Sequence, residues 1–163
     1  IYGFGVRRVR FFLVPSNSME PALRRYDYIV TMREKNYRRG DIVVFVDPRE
    51  PESYLVKRIV GMPGDHLAVF GGALFINDRY ASEPYVKEET HADLASFQVP
   101  EGEVFVLGDN RNESEDSISW GHGIALDAIV GRVRYIYNPL SRMGVVRPYP
   151  LEPTGGQPVF IPG

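Results

Sequence analysis

From Asp27 onward the chain is a series of short apolar runs, β-branched or aromatic and bounded by Gly, Pro, Asn and Asp. They predict strands at residues 28–32, 41–46, 54–62, 66–70, 73–76, 104–108 and 128–138. Gly71-Gly72 separates two of these runs and predicts a tight hairpin, because adjacent glycines take positive φ at low steric cost, and Asn77-Asp78 offers a second turn. The polar, acidic stretch from Ser82 to Ser96 reads as a loop with at most one helical turn. Residues 139–163 read as an irregular tail rich in Pro and Gly, and a short helix is expected after Pro21. The fold class is therefore mainly β: a sheet assembly or partly open barrel with little helix.

At 163 residues, 44% hydrophobic and 25% charged, the chain has the size and balance of one folded domain with one principal core. It contains no cysteine, which excludes disulfides, Cys-based zinc sites and thiol nucleophiles. The net charge of −2 conceals a basic head: residues 1–40 carry nine basic and three acidic side chains. Such a head suits an anionic membrane surface or nucleic acid, or is simply a solvated face. No apolar run reaches the roughly 18 residues of a spanning helix. The start at Ile1, with IYGFGV, Arg7, Arg8, Arg10 and then Phe-Phe-Leu-Val, leads us to expect an anchor upstream.

Three stretches could carry chemistry. In PSNSMEPAL, Pro15 to Leu23, two serines precede Met and Pro; a serine needs a base to become a nucleophile, and without one Ser18 reads as a cap for a helix beginning near Pro21. In YLVKRIVGMPGD, Lys57 and Arg58 interrupt a strand whose two faces are both apolar, so alternation does not say which is buried. Arg stays protonated, whereas desolvation lowers a Lys pKa, so a neutral Lys57 is the chemically plausible partner for Ser18; otherwise it is an edge-strand Lys reaching water. The polar excursion LGDNRNESEDSISWG suits a loop held by side chain to backbone hydrogen bonds, and it fails as an EF-hand because position twelve is Trp120 or Gly121 and the central Gly is missing. His66, His91 and His122 lack metal-ligand spacing, and neither a P-loop nor a dinucleotide fingerprint occurs, so no metal and no cofactor is expected. Composition leaves a Ser114 and His122 triad open, without a G-x-S-x-G elbow to support it.

Taken in order, PSNSMEPAL, RRGDIVVF, KRIVGMPGD and LGDNRNESEDS resemble the boxes of the type I signal peptidase family, membrane-anchored serine proteases that remove signal peptides from exported proteins. The resemblance runs from about Phe11 to Asn138. It implies Ser18 as nucleophile, Lys57 as general base, and Ser16 with the Ser18 N–H as the oxyanion hole. It further implies that Ser114 orients the lysine by a hydrogen bond, that Asp116 supports the site from behind, and that Val14, Met19, Leu23 and Val56 form shallow pockets for Ala-x-Ala sites. An extended substrate groove, signal peptides and the lipid surface as partners, no nucleic acid and an extracytoplasmic catalytic domain follow from the same likeness. The chain then divides into a membrane-proximal segment (1–14), a catalytic β domain (15–140) and the tail (141–163).

Three residues depart from the family pattern, Ala22 only modestly, standing where Thr is usual. Ile118 stands where an Arg commonly pairs with Asp116, and Glu113 adds a negative charge where Asn is common, which would favour protonated Lys57. These departures keep a catalytically impaired peptide- or lipid-binding homologue as an alternative. A self-cleaving repressor-type Ser/Lys peptidase is the other, although the head shows no DNA-binding helix-turn-helix. Oligomeric state is not readable from the sequence.

Overall fold

A computed structural model describes residues 8–153. The apolar opening with Arg7, and the last ten residues of the expected tail, lie outside the described residues. Within them the chain forms twelve strands: β1 (Val9–Leu13), β2 (Tyr28–Met32), β3 (Ile42–Asp47), β4 (Glu50–Gly61), β5 (His66–Phe70), β6 (Ala73–Ile76), β7 (Arg79–Ala81), β8 (Leu94–Gln98), β9 (Glu103–Leu107), β10 (Ile124–Ala125), β11 (Ile129–Asn138) and β12 (Gly144–Val145). A single α-helical turn, α1, spans Ser117–Trp120.

Eight strands build a main sheet of order β1-β2-β11-β3-β4-β9-β10, with β12 added beside β11, and four build a smaller sheet of order β7-β6-β5-β8. The main sheet curls without closing into a barrel, so that β1 comes to face the start of β4. Both of its faces are covered in the middle. Ile42 and Val44 of β3 enter one apolar cluster with Val14, Met19, Leu23 and Val56, while Val43 and Phe45 enter another with Ile59, Val104 and Val106. Continuous apolar runs replace alternation for that reason. A third cluster joins Phe105 and Leu107 to Leu67, Val69, Leu74 and Ile76 of the small sheet.

The predicted turns form as expected. Gly71 and Gly72 take φ of 58° and 82° between β5 and β6, and Asn77 and Asp78 take 52° and 65° between β6 and β7. The head adds a further strand, since β1 pairs in register with β2 from Val9↔Met32 to Leu13↔Tyr28. Two expectations are corrected. The acidic stretch yields β8, whose Leu94 and Phe97 pack on the small-sheet core. No helix follows Pro21: the segment is a succession of turns in which Leu23 N–H donates to the Met19 carbonyl and the Asp27 carboxylate takes up Arg24 N–H. The tail is anchored, with Leu151 fully buried in the third cluster and the Tyr149 carbonyl against Gly40, where a Cβ would collide.

Candidate active site

The turn that carries Ser18 leaves the end of β1 and is pinned from the opposite side of the molecule. Asn110 donates through its backbone N–H to the Ser18 carbonyl (3.0 Å) and through its side-chain amide to the Asn17 carbonyl (3.1 Å). Gly108 lets the two segments touch, because a Cβ there would collide with Ser114 Oγ and lie 2.6 Å from the Ser18 carbonyl oxygen. The polar loop after β9 is therefore the clamp on the serine turn.

Lys57 projects from β4 into this junction, and its Nζ is hydrogen-bonded to Ser18 Oγ at 2.8 Å. It is only 3% exposed. Burial lowers its pKa to about 8, with Arg49 acting in the same direction and Asp116, Glu115 and Asp47 opposing it. Glu113 is not among these charges; its carboxylate accepts from the Asn110 amide at 3.2 Å. A buried amine that can be neutral near pH 8, touching a hydroxyl, is able to take that hydroxyl's proton.

Ser16 Oγ lies 3.3 Å from Ser18 Oγ and accepts the Ser18 N–H at 3.4 Å. Asp116 caps α1: its carboxylate accepts Ile118 N–H at 3.2 Å and Gly108 N–H at 3.0 Å, while its own N–H donates to Ser119 Oγ. Burial raises the Asp116 pKa and these donors pull it back. Ile118 packs its side chain against the core instead of meeting that carboxylate. The expected bond from Ser114 to Lys57 is absent: the Ser114 hydroxyl is buried without a hydrogen bond of normal geometry, and its dipole acts on Asp116 instead. His122 is turned to the Gly123 carbonyl (2.7 Å) and stacks on Trp120, so no Ser114–His122 pair forms.

A cleft of about 80 Å³ opens beside Ser18, lined by Phe12, Leu13 and Val14 of one wall and Tyr54, Leu55 and Val56 of the other. Val14 and Val56 line it as expected; Met19 and Leu23 do not, being fully buried beneath it with Ile42 and Val44. Their turn folds them into the core, where they set the floor on which Ser18 stands. Both walls are strand edges. β1 pairs only with β2, and β4 meets β9 only from Arg58 onward, so residues 54–57 carry an edge with no strand on it among the described residues.

Sequence reasoning missed the support beneath the site. Arg58, 2% exposed, forks onto Asp109 at 2.9 and 2.7 Å, donates to the Gly40 carbonyl at 2.8 Å and lies 3.9 Å from the Tyr85 ring centroid. Arg111 donates to Glu83 at 2.9 Å and to the Gly108 carbonyl at 3.0 Å. The readable signal was an Arg next to Lys57 in an otherwise apolar strand, since a buried guanidinium requires a carboxylate. Among the described residues no cluster of three His, Asp or Glu could hold a metal ion, and no helix is long and apolar enough to cross a membrane.

A sequence model of the family described as signal peptidase, peptidase S26, matches residues 4–138. The chain is 33% identical over 142 residues to the probable signal peptidase I-2 of Synechocystis sp., covering 82% of this chain and 65% of that protein. It is 38% identical over 144 residues to the chloroplastic thylakoidal processing peptidase 1 of Arabidopsis thaliana, covering 80% of this chain and 42% of that one. With signal peptidase I U of Bacillus subtilis the identity is 35% over 156 residues, 86% of this chain and 82% of the relative. A crystal structure of a signal peptidase I from Enterococcus faecalis superposes with a TM-score of 0.54 at 31% identity, covering 60% of this chain and 97% of the other.

Proposed function

The chain belongs to the signal peptidase family, peptidase S26, and from that premise we propose that it is a serine endopeptidase that removes signal peptides through a Ser18/Lys57 dyad. The observation that carries the reading is the 2.8 Å contact between a buried amine and a hydroxyl at the end of a cleft.

An extended peptide adds to the free edge of β1, of β4 or of both, so that main-chain hydrogen bonds hold it and alternate side chains drop into the cleft. The small volume between Val14 and Val56 selects Ala-sized side chains, giving an Ala-x-Ala preference. Neutral Lys57 takes the Ser18 proton as Oγ attacks the carbonyl carbon, and the ammonium so formed returns the proton to the leaving amine. The oxyanion meets the Ser18 N–H and the Ser16 hydroxyl. In the resting site these two groups face each other at 3.4 Å, a long bond that is readily exchanged for one to the oxyanion. The Asp116 charge favours the ammonium formed on Lys57, and Ser114, whose buried hydroxyl lies beside Gly108 with hydrogen-bonding capacity to spare, orients the lysine during the reaction. Phe11 of β1 (64% exposed), Leu140 in the turn after β11 (80%) and Val145 of β12 (66%) offer exposed apolar side chains suited to lipid.

The test is cleavage of a precursor with an Ala-x-Ala site in detergent. Ser18→Ala and Lys57→Arg should each lose at least about 10³-fold in kcat/KM, in line with removal of a nucleophile or its base. Full activity in either variant overturns the dyad. An acylating inhibitor that labels Ser18 separates this reading from a silent binding homologue, which would bind peptide without an adduct.

A further inference from the structure

Arg10 stands on the face of β1 that carries Phe12, two residues further out and just beyond the residues that line the cleft, while Val14 continues that side past the end of the strand. That wall therefore runs from an apolar residue beside Ser18, through an aromatic one, to a cation. The guanidinium reaches across to the opposite wall: Arg10 Nη2 donates to Tyr54 Oη at 3.1 Å, and its central carbon lies 5.0 Å from the Tyr54 ring centroid and 5.3 Å from that of Phe12. The two rings meet edge to face at 5.3 Å. Aromatic faces hold a cation in place without neutralising it.

Seven arginines are ion-paired to carboxylates, Arg39, Arg49, Arg58, Arg111, Arg132, Arg134 and Arg142; Arg10, like several exposed arginines, has no carboxylate partner among the described residues, but it alone of these is held against the cleft residues Phe12 and Tyr54. Glu52, two residues beyond Tyr54 on β4, is exposed and forms no ion pair with it. At about 3.3 Å per residue, Arg10 lies roughly 13 Å along the strand from Val14. A peptide extended along this wall from Ser18 would bring its fifth to seventh residue before the scissile bond to the cation.

We propose that Arg10, held by Tyr54 and Phe12, is a charge-selecting subsite at the far end of the cleft, favouring Asp or Glu in the substrate there and rejecting Lys or Arg. The inference rests on reading the cleft as the peptide groove and deepens that reading by one specificity. Charge pairs at the rim of an interface discriminate modestly and are screened by salt.

The experiment uses one precursor peptide with Ala at the first and third positions before the scissile bond, and Glu, Gln or Lys placed in turn at positions four to eight. We expect kcat/KM for Glu to exceed that for Lys by about five- to tenfold at one position between five and seven, and the ratio to shrink in high salt. Arg10→Gln should bring the ratio near one, Arg10→Lys should retain part of it, and Arg10→Glu should invert it, whatever each does to the rate on the Gln peptide. An unchanged ratio in Arg10→Gln, or one equal at every position, overturns the subsite while leaving the dyad intact. If no peptide is cleaved, the peptidase reading fails by itself, and the same Glu-to-Lys ratio, read as peptide binding to Ser18→Ala by fluorescence anisotropy, still decides the subsite.

Discussion

A lysine amine 3% exposed is uncomfortable as a cation, and the fall of the Lys57 pKa from 10.5 to about 8 measures that discomfort, roughly 3 kcal/mol against the charged form. Two consequences follow with opposite signs. With Lys57 as the proposed base, activity would need the neutral amine, so kcat/KM should climb about tenfold per pH unit below pH 8 and level off above it. Stability bears the penalty wherever native and unfolded chains are both protonated, that is below pH 8. Between 8 and 10.5 the unfolded chain binds a proton that the native one does not, so stability rises with pH. Lys57→Met should accordingly be inactive yet more stable by up to about 3 kcal/mol at pH 6 in urea titration, the gain fading by pH 10.5. Arg49 is hydrogen-bonded to Asp47 (3.3 Å) and Glu115 (2.8 Å), two of the carboxylates that favour the ammonium. Arg49→Gln releases both and removes a cation, so the rising limb of the pH profile should move to higher pH, with activity recovered above pH 9; an unmoved limb would show that these charges are screened out. Gly108→Ala tests the clamp differently. Its methyl must displace Ser114 or the Ser18 carbonyl, and kcat should collapse even in variants that remain folded.

At the scale of elements, the buried pair joining β4 to the loop after β9 holds the two halves of the site in register. Asp109→Ala would strand Arg58 without its counter-charge and should cost about 3–5 kcal/mol in urea unfolding, whereas Arg58→Met with Asp109→Leu should recover much of that loss. Most strands were legible because β-branched runs ended at Gly, Asn or Asp, and both glycine and Asn-Asp turns took the positive φ their residues allow. β8 was not, since Leu94 and Phe97 alone face the core and the acidic residues around them mask a strand of five. The meeting of Lys57 with Ser18 was legible from chemistry joined to resemblance. The placing of Met19 and Leu23 was not, because an apolar residue beside a serine reads the same whether it lines a pocket or supports its floor. Ile118 could be flagged as a departure, but only the packing of its side chain and the backbone donors to Asp116 explain how the loop manages without a guanidinium.

On the scale of the whole molecule, two sheets share one seam, and a residue far down the chain closes it. Leu151 packs with Phe105 and Leu107 of the main sheet and Leu67 and Leu74 of the small one. Leu151→Ala should cost about 2–5 kcal/mol, a loss no irregular surface tail would show in thermal unfolding. The cleft has a consequence of a different kind. Its walls are strand edges to which no further strand is paired among the described residues, and a chain whose own backbone is equally unpartnered is the kind that can pair with them. A segment already folded into a helix or sheet has nothing to lend. If the cleft is the peptide groove proposed above, the same Ala-x-Ala sequence would be open to cleavage before its surroundings fold and closed to it afterwards, so the cleft would act as a clock on its substrates before it acts as a reader of them.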